Sequence, residues 1–413
     1  MVQKLLRFLL PGMLVIELIG IKTAHAAAGS LDLAFGTGGV AITNLAVSLV
    51  NSILLQSTGE ILVLAAGTTS NEVVRYTTEG ELDTIFGNNG AAIAIGGSMS
   101  IAADDKIVVA GIVTDPNNSQ TALEVERLNA NGSIDTTFGN NGLALADLGT
   151  RSPFNDVVLA EPDGSVLACA SLFPAGRRQP SQIALAHFTS SGALDTTFGS
   201  GGSVIANPPG GCSALALLSN GNILVVDGQA VAEYTSRGSV LSTITAATIV
   251  ASDTGGAPGS ASNVFQPNGD YLYAFDLFVG EESRGHDSSV EVQRFTETGS
   301  PDATFANPSF HFIPPGGPEI QAVVQGLAVA PNADIVVVGE QTHFTQSGPI
   351  ISNGVARLTP GGGLDSTFGS GGLLANVPPT DAGFGAVIVQ ADGNIITAGV
   401  GGGELVVSRF LGK

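Results

Sequence analysis

The sequence predicts an all-β fold, a seven-bladed β-propeller of four-stranded antiparallel blades, on three observations. One phrase recurs seven times, four strand-like pieces follow in the same order within each period, and the two ends of the chain carry complementary fragments of that order. The clear copies are GSLDLAFGTGG from Gly29, GELDTIFGNNG from Gly80, GSIDTTFGNNG from Gly132, GALDTTFGSGG from Gly192 and GGLDSTFGSGG from Gly362. Two worn copies, GSVLSTI from Gly238 and GSPDATFAN from Gly299, fill the gap, and intervals of 46 to 63 residues mark one supersecondary unit per period.

The period after Gly90 shows the four pieces. A semi-apolar stretch, SMSIAADDK, ends in turn residues and forms strand A. The short apolar run 107–110 (IVVA) is strand B, and such a run implies burial on both faces. Strand C is the alternating stretch 123–128 (LEVERL), whose pattern predicts a half-exposed strand. The signature then leads through Phe138 to an apolar tail, strand D. The A–B turns carry Asp163-Gly164, Asn220-Gly221, Asn268-Gly269 and Asp392-Gly393, pairs that accept the positive φ of tight hairpins. Few charges (12%), 56 glycines and no tryptophan suit short strands and tight turns.

The signature residues have structural explanations. The Asp at 32, 83, 135, 195, 302 and 365, replaced by Leu241 in the fifth copy, accepts backbone N–H bonds two or three residues on and ties the turn. The Phe three positions later plugs the space between neighbouring sheets. A calcium ion at each Asp would need several oxygen ligands, and one carboxylate per repeat supplies too few.

Beyond residue 26 the chain opens on a D piece, 31–45, and closes on a C piece, 405–411. Pairing the two completes a seventh blade and removes open sheet edges. The expectation is therefore a ring closed by the N-terminal strand on the C-terminal blade. An eight-bladed or open arrangement is the alternative, but the count leaves no spare unit.

Residues 1–26 read as a signal peptide. Lys4 and Arg7 precede an apolar stretch from Phe8 to Ile21, and Ala24-His25-Ala26 offers the small residues a signal peptidase needs near Ala26. Residues 27–413 then form one propeller domain, expected to be secreted, periplasmic or at the cell surface, as a monomer without a membrane span. Loss of Lys4, Arg7, Lys22 and Glu17 leaves 12 basic against 35 acidic residues, a charge of −23. Such a surface repels phosphate backbones, so nucleic acid is excluded as a partner. Cys169 and Cys212 both fall in apolar strand-like stretches, and the sequence leaves open whether they pair or are two buried small side chains.

The recurring order, an Asp-Gly turn, a short apolar strand, Arg-Leu or Arg-Phe, then G-S-L-D-T-T-F-G, resembles the bacterial delta-60 repeat, a β-propeller family of unknown function. The resemblance spans nearly all of residues 27–413 and departs at Leu241 and Ile244 in the copy from Gly238 and at Ala306 in the copy from Gly299. It implies the fold and carries over no catalytic residue.

In such blades the A–B and C–D turns lie on one face, and the B–C and D–A connections on the other. The second set includes the long segments 171–181, 277–289, 307–320 and 340–353, which nominate that face for binding. Three histidines, His286, His311 and His343, fall in or beside these segments. With Asp287 they are the candidate ligands of a divalent metal, helped by Glu281, Glu282 and Glu340, although the spacing is no metal motif. Phe310, Phe312 and Phe344 read either as an apolar contact patch or as plugs in the ring. Arg177 and Arg178 are candidate anion contacts on an acidic protein. No G-x-S-x-G elbow, H-E-x-x-H pair or P-loop is present, and the tryptophan motifs of quinone-dependent propeller enzymes are missing. The sequence calls for no cofactor. The leading reading is a non-enzymatic exported scaffold presenting loops to a protein or glycan; the alternative is a hydrolase or lyase at the mouth of the ring.

Overall fold

The computed structural model describes residues 26–173, 182–206, 211–227, 230–245, 258–266, 268–279, 287–312, 320–345, 348–378 and 383–413. Segment 1–25, Arg177, Arg178 and His286 lie outside them, and of Asp287 only the backbone is described. Among the described residues regular structure is entirely β, and no helix is long and apolar enough to cross a membrane.

Strands fall in antiparallel sets of four, as in a β-propeller. Set 2 is the plainest, with Ser98–Ile101, Ile107–Thr114, Thr121–Leu128 and Leu143–Gly149 paired in that order as A to D. Set 3 repeats it with Pro153–Ala160, Val166–Leu172, Gln182–Phe188 and Ser203–Ala206, and set 4 with Ala214–Leu217, Ile223–Asp227, Ala230–Tyr234 and Val240–Thr245. Set 5 comprises Pro258–Phe265, Tyr271–Val279, Asp287–Phe295 and the two-residue strand Ser309–Phe310. Set 6 comprises Ile320–Val329, Ile335–Thr345, Gly348–Leu358 and Leu373–Ala375. A single parallel contact, Asp287 beside Ile320, joins sets 5 and 6.

One long strand, Val40–Leu55, serves two sets. From Val47 onward it is strand A of set 1, pairing Ile61–Gly67, which is followed by Asn71–Tyr76 and Ala91–Ala94. Its first residues pair instead with the end of the chain, Val40 opposite Ser408 and Thr43 opposite Leu405. They thereby supply strand D to the last set, Phe384–Val389, Ile395–Gly401 and Glu404–Phe410. The front and the tail of the chain are hydrogen-bonded to each other.

The tight A–B turns form as their residues demand, with Gly164, Gly221, Gly269 and Gly393 all at φ between 82° and 92°. Strand B is buried on both faces, completely so in Val166–Leu172. Strand C departs from expectation. It is buried rather than half exposed, and Arg75, Glu126, Arg127 and Arg357 are each at most 9% exposed. The cause is the signature turn, which folds back across strand C. In set 2 the Asp135 N–H donates to the Arg127 carbonyl and Phe138 closes over the strand.

This contact is a repeated clamp. The guanidiniums of Arg75, Arg127, Arg294 and Arg357 each bind the Asp eight residues on, with Nε–Oδ2 distances of 2.7–2.9 Å. Each lies 4.4–4.8 Å over the centroid of the signature Phe. Each also donates from Nη1 to a carbonyl of the following set: Ala130, Ser190, Pro360 and Gly412 respectively. The aspartate's other oxygen takes the N–H two residues on, as anticipated. The fifth clamp joins the chain ends: Arg409 binds Asp32 at 2.8 Å, lies over Phe35 and donates to the Thr78 carbonyl.

Set 4 carries no such clamp, because Glu233 and Leu241 stand where Arg and Asp would. In set 3 His187 replaces the arginine and contacts Asp195 and Glu161, both within its own set. Burial disfavours the charged ring, but Glu161 and Asp195 outweigh it and hold the His187 pKa above its ordinary value. At that seam Cys169 and Cys212 are paired, with Cα atoms 6.2 Å apart, so a disulfide ties set 3 to set 4 where the arginine tie is missing.

Phe35, Phe86, Phe138, Phe198 and Phe305 each sit against the first glycine of the next signature. A Cβ on Gly80 would fall 2.7 Å from the Phe35 ring, and one on Gly132 or Gly362 2.8 Å from Phe86 or Phe305. The predicted plug is thus a knob seated on bare backbone, and the six signature phenylalanines are 0–4% exposed.

Candidate functional site

Strand A of every set faces one cavity of about 620 Å³. The A–B turns are opened by the N–H groups of Gln56, Ala102, Glu161, Leu218, Gln266, Ala330 and Gln390. Five residues before these stand Asn51, Gly97, Asp156, Ser213, Ala261, Gln325 and Gly385, small and polar residues at equivalent sequence positions, all but Ala261 lining the cavity. Glycine is needed at 385, where a Cβ would lie 2.3 Å from the Val50 carbonyl oxygen. That approach packs the last set's strand A onto the first set's.

Asp156 is the one ionisable group among the described residues lining this cavity. Its Oδ2 has no hydrogen-bond partner among the described residues. Burial lifts its pKa from 3.8 to about 6. Asn263 adds a second unpartnered oxygen. The Ser213 hydroxyl donates to the Val226 carbonyl, so it must accept from Asn263 Nδ2, which turns Asn263 Oδ1 away without a donor. Gln325 Oε1 is a third. Among the described residues the cavity therefore offers these acceptors and no cation.

The Asp156 shift has a signed consequence. The folded-state pKa lies above the unfolded one, so the native state loses stability as pH rises from about 4 through about 6. Asp156→Asn is expected to raise stability by about 1–2 kcal/mol at pH 8 and by nothing at pH 4. Paired urea titrations at the two pH values test this; an equal effect at both would remove burial of the charge as the cause.

The segments nominated from the sequence prove unlike one another. Segment 340–353 is no loop but the tip of a hairpin whose strands, Ile335–Thr345 and Gly348–Leu358, run 11 residues each. The matching strands of the last set, Ile395–Gly401 and Glu404–Phe410, run seven. The four extra residues carry the hairpin roughly 13 Å further. His343 lies on it, opposite Ile350 and Ile320, with Nε2 2.9 Å from Gln341 Nε2. Phe344, Ile350 and Ile351 at the tip are 40%, 55% and 53% exposed.

Phe310 and Phe312, by contrast, are buried with Leu272, Val290 and Val337. Phe312 fills the space beside Gly339 and Gly354, where a Cβ on either would meet its ring. They plug the core between sets 5 and 6 and form no surface patch. His311, between them, is half-buried, with Nδ1 unpartnered among the described residues. Among the described residues no three His, Cys, Asp or Glu side chains converge as a metal site.

The family described as domain of unknown function (DUF5122) beta-propeller matches residues 56–86, 102–138 and 334–368. Each match runs from an A–B turn through strands B and C to the signature Phe, so it covers the part of a set that makes the clamp. No curated protein matches the sequence. Solved structures with similar folds include virginiamycin B lyase from Staphylococcus aureus, at 10% identity and TM-score 0.46, covering 90% of this chain and 99% of that one. An α-L-arabinofuranosidase of Fusarium graminearum gives 11% identity and TM-score 0.43 over 90% and 95% of the two chains. A protein of unknown function from Bacteroides caccae gives 15% and 0.36 over 61% and 81%. At such identities these likenesses concern architecture, and the activities of the two enzymes carry no weight for this chain.

Proposed function

We propose that the protein is a non-enzymatic binding module of the delta-60 repeat kind: a seven-bladed propeller, exported by a signal peptide removed near Ala26, that presents one face to a protein or glycan outside the cytoplasm. Ring closure in this reading rests on the pairing of residues 40–43 with 405–408 and on the Arg409–Asp32 clamp between front and tail. The single observation that carries the binding role is the set 6 hairpin. It extends beyond its counterpart and exposes Phe344, Ile350 and Ile351, apolar side chains that folding leaves uncovered. The alternative of a hydrolase or lyase at the channel gains less, since Asp156 is the one carboxyl lining the cavity among the described residues and glycoside hydrolysis uses two.

The test is retention of purified protein on insoluble cell-wall polysaccharide and on a glycan array, wild type against Phe344→Asp/Ile351→Asp. Loss of two exposed anchors is expected to cost about 2 kcal/mol of binding, near 30-fold, with an unchanged thermal midpoint. Undiminished retention by the variant, or release of soluble sugar by the wild type, would overturn the reading.

A further inference from the structure

The repeat offers an internal control for what its scaffold requires. The residue just before the position of the clamp cation, which Glu233 occupies in set 4, is Val74, Ala186, Ala232, Gln293, Ala356 or Ser408 in six sets, and an acid, Glu126, only in set 2. Burying a carboxylate there is costly without a counter-charge. Glu126 is nonetheless 7% exposed; one oxygen accepts from the Ile95 N–H and Oε2 has no partner among the described residues. A second departure lies beside it. Two residues after the signature Asp, Thr137, Thr197, Thr304 and Thr367 each donate a hydroxyl to that Asp. Two copies lack that hydroxyl: the first has Ala34 after Asp32, and set 1 has Ile85, a large apolar side chain that stands 81% exposed.

Glu126 and Ile85 line one groove of about 700 Å³ between strand D of set 1 and strand C of set 2. Ile93 and Ile134, 71% and 52% exposed, extend its apolar wall. Glu72 is its second acid, and none of its described lining residues is basic. Departures from a repeat's own rule that converge on one cavity point to function rather than stability.

We infer that this groove binds a small organic ammonium with an apolar body, its charge on Glu126 Oε2 and its carbon skeleton against Ile85, Ile93 and Ile134. An ammonium supplies the donors and the positive charge that Glu126 lacks, and the isoleucines take up what water would otherwise cover. Burial, with a smaller push from Glu124, lifts the Glu126 pKa to about 7, the mark of a carboxylate without a counter-cation. The inference stands apart from the set 6 hairpin and does not depend on it.

The experiment is NMR titration of the full chain with phenethylammonium and butylammonium, against the neutral 3-phenylpropan-1-ol and 1-pentanol. Saturable shifts are expected for the amines and not for the alcohols. Glu126→Gln should weaken amine binding at least tenfold; the repeat itself places Gln at 293, so the fold should keep its thermal midpoint. Ile85→Thr, which restores the residue used elsewhere, should weaken binding several-fold. Equal response to amines and alcohols, no response to either, or unchanged amine binding by Glu126→Gln would each overturn the assignment.

Discussion

Arg409→Met is expected to cost about 4 kcal/mol of stability, as much as Arg127→Met in the middle of the chain. The substitution leaves the Asp32 carboxylate, 16% exposed, without its cation, removes a cation–π contact with Phe35, and strips the Thr78 carbonyl of its donor. Breaking one partner from a mostly buried pair costs about 3–5 kcal/mol, and the stacking and hydrogen-bond losses overlap with it rather than add. Sequence separation is the point of the comparison: Arg127 meets Asp135 eight residues away, Arg409 meets Asp32 across 377. If the ring is closed, urea midpoints should fall equally; a negligible effect at Arg409 alone would leave the ring open. For Arg127 the loss should shrink in acid. Burial opposes ionisation of Asp135, but Thr137 and Arg127 prevail and hold its pKa at about 2. Its contribution is therefore fully present above about pH 4 and disappears as pH falls through 2.

Gly192→Ala should be comparably severe, about 4 kcal/mol, whereas Gly393→Ala should cost about 1. Both glycines have positive φ, +80° and +92°. The difference is what a Cβ would meet. At 393 nothing lies within 4 Å; at 192 the Gly139 nitrogen is 2.3 Å away and the Phe138 ring 3.0 Å. Backbone cannot swing aside as a side chain can, so the seam between sets 2 and 3 must open. Equal midpoints for the two variants would show that backbone strain alone, and not the seated Phe, makes this glycine necessary.

These two positions show how much of the architecture could be read in advance. The signature glycine and Phe were visible as a phrase, and the plug followed from their spacing. That the plug seats on the next copy's glycine was not visible, because it is a contact between periods. Strand C misled for the same reason. Glu-Val-Glu-Arg alternates as a solvent-facing strand would, yet Arg127 is covered by its own turn and by the next set. An arginine eight residues before Asp83, Asp135, Asp302 and Asp365 was a signal present in the sequence that could have announced the clamp. The candidate site was less legible. Strand A has the weakest pattern of the four, so nothing in its sequence marks Asp156 and Asn263 as facing a cavity. Segment 340–353 reads as a loop because His, Thr, Ser and Gly-Pro break its apolar pattern, while cross-strand pairing extends it as a hairpin. The disulfide needed a distance that no spacing supplies.

The shared strand Val40–Leu55 also sets an order of events. Joining residues 377 apart costs roughly 3 kcal/mol more chain entropy than joining residues eight apart, so the front of the polypeptide should find its mate last. During synthesis residues 40–43 must wait, edge bare, until residues 405–408 have emerged. A transcript truncated shortly before codon 404 would leave that edge permanently available to other chains, and such fragments should aggregate rather than persist as partial discs.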